Sequence, residues 1–193
     1  MPDGKNVNEN PASKEYYHEL LDKLAENGID AIVTLYAYDL PLELQIDLDK
    51  EPEGGSDDEV WDECIGWVCY EIIDYFTTYA AYAFEEFGDK VKDWITLTEP
   101  AVFSDAGYAD CTMPPANPKI CEAPAPEGQK GKNAGDFEKN VFASRTARHN
   151  ALQAHVSAYR HFKVNFSKLF LSFLYFSTIS WNPLISQYLL KIF

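Results

Sequence analysis

Apolar positions change their period several times along this chain, and each change marks an element. From Lys14 to Asn27, Tyr17, Leu20, Leu21 and Leu24 fall at i, i+3, i+4 and i+7, the stripe of an amphipathic helix. Ser13 is its expected N-cap and Gly28 its expected stop. The run Ile29–Tyr38 then concentrates Ile32, Val33, Leu35 and Tyr36, which predicts a buried strand halted by Asp39-Leu40-Pro41. Residues 42–66 predict a long acidic connection, read as a solvated insertion. Glu71–Phe87 returns to the helical period with a wide apolar face, and Gly88 closes it. Trp94-Ile95-Thr96-Leu97-Thr98 is a second short strand. Pro100 cannot continue a ladder, so the carboxylate of Glu99 is left at that strand's C-terminal tip. Residues 101–140, rich in Pro and Gly, predict loop. A last helix is expected over about 136–162, with Ala147, Ala151, Leu152, His155, Ala158, Tyr159 and Phe162 on or near one face.

The order strand, helix, strand over residues 31–98 predicts an α/β fold with a parallel pair. In such a unit the loop after the first strand and the tip of the second share one edge. Tyr38, Asp39 and Glu99 are therefore expected along a common rim, where parallel α/β enzymes collect catalytic groups.

Length and composition narrow the picture. The 193 residues suit about one domain, and 46% hydrophobic content supports a packed core. A formal net charge of −15 excludes the basic footprint of a nucleic-acid binder. The cysteines Cys64, Cys69, Cys111 and Cys121 form no C-x-x-C pair, which argues against zinc. Cys111 and Cys121 flank a proline-rich loop, and either a disulfide in a secreted chain or two free thiols fits. His149, His155 and His161 are six apart, about 120° of helical turn each, so they do not converge on one ion. No metal and no cofactor is expected. Met1–Asn10 lacks the apolar core of a signal peptide. The alternatives are an intracellular chain or a start lying upstream, with secretion. Residues 169–190 hold no charge and are long enough to span a bilayer, the one stretch open to membrane association, but Asn182-Pro183 argues against a simple spanning helix, and a buried strand-and-helix region that packs on further elements is the alternative.

A set of short motifs then appears in order: Tyr16-Tyr17-His18, Asn27-Gly28-Ile29, Val33-Thr34-Leu35-Tyr36, Asp39-Leu40-Pro41, Phe87-Gly88-Asp89-Lys90-Val91-Lys92, Trp94-Ile95-Thr96-Leu97 and Glu99-Pro100. Gly107-Tyr108, His149-Asn150 and Ala154-His155 follow. Together they resemble the family 1 glycoside hydrolases, the β-glucosidases and their relatives, over roughly residues 14–162. The resemblance implies an incomplete TIM (β/α)8 barrel, covering about strand 3 to helix 4, with a β-linked glycoside as partner. It implies a retaining O-glycosyl hydrolase mechanism, in which one carboxyl protonates the leaving oxygen and a second attacks the anomeric carbon. Glu99 stands at the acid/base position. Thr98 and Tyr38 stand at substrate-binding positions, and Trp67 fits either a sugar site or the core.

Departures from that pattern are informative. Ala37 stands where the family usually has a sugar-binding His, Thr98 where it has Asn, and Tyr38 where Trp is common. No Thr-Glu-Asn-Gly stretch, the family's nucleophile motif, occurs in the 193 residues. The chain is therefore read as a hydrolase segment without activity of its own. A non-catalytic sugar- or protein-binding relative and a membrane-anchored acidic protein are the alternatives. The pattern fades after Phe162, dividing the chain into a partial barrel, 1–163, and a divergent apolar tail, 164–193. Lys163-Val164-Asn165 is what translation from an exon ending in AAG into an intron beginning GTAAA would give.

Overall fold

A computed structural model of the chain describes residues 9–45, 66–115, 137–166 and 173–177. In chain order these form α1 (Pro11–Glu26), β1 (Ile32–Tyr36), α2 (Leu42–Gln45), a 3-10 turn (Gly66–Val68), α3 (Ile72–Phe87), β2 (Asp93–Thr98), α4 (Pro100–Ser104), a π turn (Asp105–Ala109), α5 (Phe137–Asn165) and β3 (Phe173–Ser177). The sheet order is β1-β2-β3 and both pairs are parallel. In the first pair Val33 stands opposite Trp94 and Tyr36 opposite Leu97. The strand–helix–strand unit expected from the apolar pattern is present. The fold is α/β, three parallel strands with helices between the first two.

The start of α1 differs from expectation. Asn10, not Ser13, is the N-cap, and its side chain accepts from the Ala12 and Ser13 amides. Pro11 at the first helical position needs no amide partner, which moves the start three residues upstream. The helix ends in a Schellman motif, with Gly28 at φ 70 and the bonds Gly28 N to Ala25 O and Ile29 N to Leu24 O. Of the predicted stripe only Leu21 is buried, while Tyr17 and Leu20 lie exposed. α1 meets the end of α3 through the Tyr17 and His18 rings against Phe87, with centroids 6.4 and 4.9 Å apart, and through polar tips. Glu86 accepts Lys14 Nζ and bonds His18 Nε2, both at 2.7 Å, and these hydrogen bonds hold its carboxyl below the usual range.

Two aromatic clusters build the core. Tyr36, Trp67, Phe76 and Phe103 pack with ring centroids 5.0 to 5.7 Å apart. Phe84 meets Trp94 and Phe162 edge-on at 5.1 and 5.0 Å. Trp67 is wholly buried, so of its two readings the core one holds. α5 presents Ala143, Ala147, Ala151, Ala154 and Ala158, all buried, so its backbone approaches the other elements closely. Leu152, expected near that face, is exposed.

The segment from residue 101, expected as loop, begins with helix. Pro100 starts α4 at a position where a missing amide costs nothing, and the π turn continues it to Ala109. Gly107 lies in that turn because a Cβ there would meet the Pro115 ring at 2.5 Å. Residues 42–45 likewise form α2, and 46–65 of that connection lie outside the described residues.

Cys69 and Cys111 are disulfide-bonded and so are not free thiols; Cys64 and Cys121 lie outside the described residues. Most of 169–190 also lies outside them, and its described part, β3, is a strand. No described helix is long and apolar enough to cross a membrane.

Candidate active site

The parallel register sets the tips of β1 and β2 side by side, and the two chains leave the sheet in the same unusual way. Tyr38 has φ 74 and Glu99 has φ 48, both left-handed. A left-handed residue reverses the chain abruptly, so each side chain turns back over the sheet edge instead of continuing the pleat. The two meet there. The Tyr38 hydroxyl donates to Glu99 Oε2 at 2.6 Å. The shared rim expected from topology is thus a direct contact.

Each partner is held from behind. The carboxylate of Asp39 accepts the Ala37 amide at 3.0 Å, which fixes the turn that carries Tyr38. Asp39 therefore braces the strand end. The Tyr38 ring stands edge-on to Phe103, with centroids 6.4 Å apart. The Glu99 carbonyl accepts the Val102 and Phe103 amides at 2.8 and 3.1 Å, making Glu99 the residue on which α4 starts. α4 and the π turn are pinned to α5. The Arg148 guanidinium bonds Ser104 Oγ at 3.2 Å and pairs with Asp105, whose Oδ1 also accepts the Ser144 hydroxyl at 2.5 Å. This clamp was not read from the sequence. Its one signal is an arginine directly before His149-Asn150.

Behind the rim a second buried network ties the 3-10 turn in place. The Tyr108 hydroxyl accepts the Trp67 amide at 2.9 Å, and Asn150 Nδ2 donates to the carbonyls of Trp67, Val68 and Cys69 at 3.0 to 3.2 Å. Gly66, at φ 50, is required because a Cβ would run into the Gln45 and Tyr108 side chains.

The electrostatics follow from burial and the contact. The Tyr38 phenol is pushed up to about 12, first by loss of water and then by the Glu99 carboxylate that accepts its proton. Near neutral pH Tyr38 is therefore a fixed donor to Glu99. Thr98 stands half-buried beside Glu99, and Ala37 is exposed on the rim with no polar group to offer a ligand. Among the described residues no group of three His, Cys, Asp or Glu side chains is placed to hold a metal ion.

A carboxylate at the tip of a parallel strand, held by a neighbouring strand's aromatic hydroxyl, is the geometry in which comparisons with known proteins become specific. The profile of glycosyl hydrolase family 1 matches residues 1–184. This chain belongs to that family. Beta-glucosidase 22 of Oryza sativa subsp. japonica is 36% identical over 154 residues, covering 80% of this chain and 24% of the relative. The coniferin beta-glucosidase of Pinus contorta is 34% identical, covering 88% of this chain and 28% of the relative. Among solved structures, the aphid myrosinase superposes with a TM-score of 0.68 at 29% identity, covering 92% of this chain and 30% of the other. A Thermotoga maritima β-glucosidase, solved with deoxynojirimycin, gives 0.65 at 28% identity. The chain thus spans about a quarter to a third of the length of these relatives. The family's match includes β3 and runs on to residue 184.

Proposed function

We propose that this chain supplies the acid/base half of a retaining β-glucosidase-type site, with Glu99 as the group that moves the proton. In the first step the Glu99 carboxyl gives its proton to the departing glycosidic oxygen, while a second carboxylate attacks the anomeric carbon. In the second step Glu99 takes a proton from water, which releases the sugar. The observation that carries this reading is the 2.6 Å bond from Tyr38 to Glu99 Oε2 at two adjoining strand tips. It fixes one carboxyl oxygen and leaves the other for proton transfer. Thr98, next along β2, is assigned a contact with the sugar hydroxyl beside the anomeric carbon, and the half-buried Tyr38 ring a contact with the substrate.

The 193 residues contain no Thr-Glu-Asn-Gly stretch, so they do not bring the nucleophile of this mechanism. Retention requires two carboxyls about 5 Å apart. The segment alone is therefore assigned no turnover. The test is release of 4-nitrophenol from its β-D-glucoside by the purified chain, with far-UV circular dichroism as the check on folding. The expected rate equals that of buffer for the chain and for Glu99→Gln alike. Turnover that Glu99→Gln abolishes would overturn the inactivity and keep Glu99 as acid/base. Turnover that Glu99→Gln leaves intact would overturn both.

A further inference from the structure

The helix α3 packs against both α1 and α5. It meets α1 through Glu86 and Phe87, and α5 through Phe84 on Phe162. α1 and α5 each turn one long face away from these contacts, and the two outer faces differ in kind. On α5, Arg145, Leu152, Val156 and Arg160 are exposed, each two residues before a buried one: Ala147, Ala154, Ala158 and Phe162. Two residues are about 200° of helical turn, so the four share the side opposite the core. Lys139, Arg145, Arg148, Arg160 and Lys163 against Glu138 give this helix a formal charge of +4 in a chain of −15. On α1 the same spacing sets Tyr16 and Leu20 opposite Lys14 and His18, which face α3. Tyr16 and Leu20 are exposed, and the exposed carboxylates of Glu15 and Glu19 stand beside them. Lys14, Lys23 and Arg148 are all in ion pairs. Among the described residues Arg145, Arg160, Glu15 and Glu19 are in none.

We propose that the outer face of α5 docks on the outer face of α1 in a second copy of this chain. Charge selects the pairing. One face offers two apolar side chains with two unpaired guanidinium groups, and the other offers two apolar side chains with two unpaired carboxylates. Contact of α5 with α5, or of α1 with α1, sets like charges against each other and is disfavoured. The chain's net negative charge does not prevent the contact. At physiological salt, exposed charges more than about 8 Å apart are largely screened, and the docked groups lie closer than that. Leu152, Val156, Tyr16 and Leu20 add apolar area removed from water. Each copy brings one face of each kind, so copies join head to tail and close into a ring of two or more. The sheet is open in the same sense, since the order β1-β2-β3 leaves β1 and β3 paired on one side only among the described residues.

The experiment is sedimentation velocity of the full chain over a range of concentrations, at low and at high salt. Association that grows with concentration and weakens with salt is expected. Two variants decide which faces meet, with far-UV circular dichroism as the check on folding. Arg145→Glu with Arg160→Glu leaves both outer faces acidic. Glu15→Arg with Glu19→Arg leaves both basic. Each variant alone is expected to associate at least about tenfold more weakly than the parent chain. Mixed in equal amounts, the two are expected to regain association, because the reversed α5 face of one matches the reversed α1 face of the other. A chain that stays monomeric at every concentration overturns the proposal. So does association that either reversal leaves unchanged, which would place the contact elsewhere, or a mixture that associates no better than its parts.

Discussion

Tyr38 and Glu99 occupy backbone conformations that bulky and charged L-residues avoid, at φ 74 and φ 48. Each such residue costs on the order of 1–3 kcal/mol and persists only where its surroundings over-determine it. Here the surroundings are named: Asp39 and Phe103 behind Tyr38, and α4 with its clamp to α5 behind Glu99. The position of Glu99 was legible, because a proline after an apolar run ends a strand in only one way. The left-handed turn of Tyr38 was not legible. Gly, Asn and Asp announce such a turn and Tyr does not. His155 is a second residue whose environment decides its chemistry. Its Nδ1 lies 2.8 Å from the Thr96 hydroxyl, and burial lowers its pKa to about 4 from 6.5. The unfolded chain then takes up a proton before the folded one does. Stability is unaffected above pH 6.5, falls as pH drops from 6.5 to 4, and has lost this increment in full below 4. The total is about 3 kcal/mol at ~1.4 kcal/mol per pH unit. In urea unfolding at pH 7 and pH 4.5, His155→Asn, which keeps a partner for Thr96, is expected to narrow the difference between the two pH values. An unchanged difference would place the acid sensitivity elsewhere.

Elements were legible by period, and their neighbours were not. The helical repeat of α1 is real, yet of its stripe Tyr17 and Leu20 are exposed, and α1 meets α3 at its end, through Tyr17 and His18 on Phe87 and Lys14 and His18 on Glu86. The π turn after α4 escaped notice because proline and glycine are common in the stretch that contains it, and those residues signal loop. In α5 the packing face was legible in its spacing, since Ala147, Ala151, His155, Ala158 and Phe162 are all buried, and only Leu152 departs from it. One polar residue on that face is essential. Asn150 is 3% exposed and its amide serves three carbonyls of the segment carrying Trp67. Asn150→Ala leaves buried carbonyls without their donor and is expected to cost about 1–3 kcal/mol. Guanidinium unfolding reads this as a lower midpoint with unchanged slope. A loss no larger than that of an exposed control such as Arg160→Ala would show that water replaces the amide.

Three parallel strands, ordered β1-β2-β3, and the helices around them are a segment of the family's barrel, as the motif order in the sequence implied. What the motifs carried was topology: which strand tip bears the Glu99 carboxylate and which loop faces it. What they left out was contact, because the bond between Tyr38 and Glu99 joins positions 61 residues apart through a turn no local rule predicts. The Tyr38–Glu99 pair carries the assignment of the proton-transfer group. Its most direct test is a graft of residues 31–104 into the Thermotoga maritima β-glucosidase, in place of the matching segment, assayed on alkyl and on 2,4-dinitrophenyl β-D-glucosides. In an active graft, Glu99→Ala is expected to slow the alkyl glucoside by about 10²–10⁴-fold, the usual share of general acid–base catalysis. The dinitrophenyl substrate, whose leaving group needs no proton, should lose less in its first step and regain turnover with azide. Equal rates on the alkyl substrate for the graft and its Glu99→Ala variant would contradict the assignment of Glu99 as the acid/base.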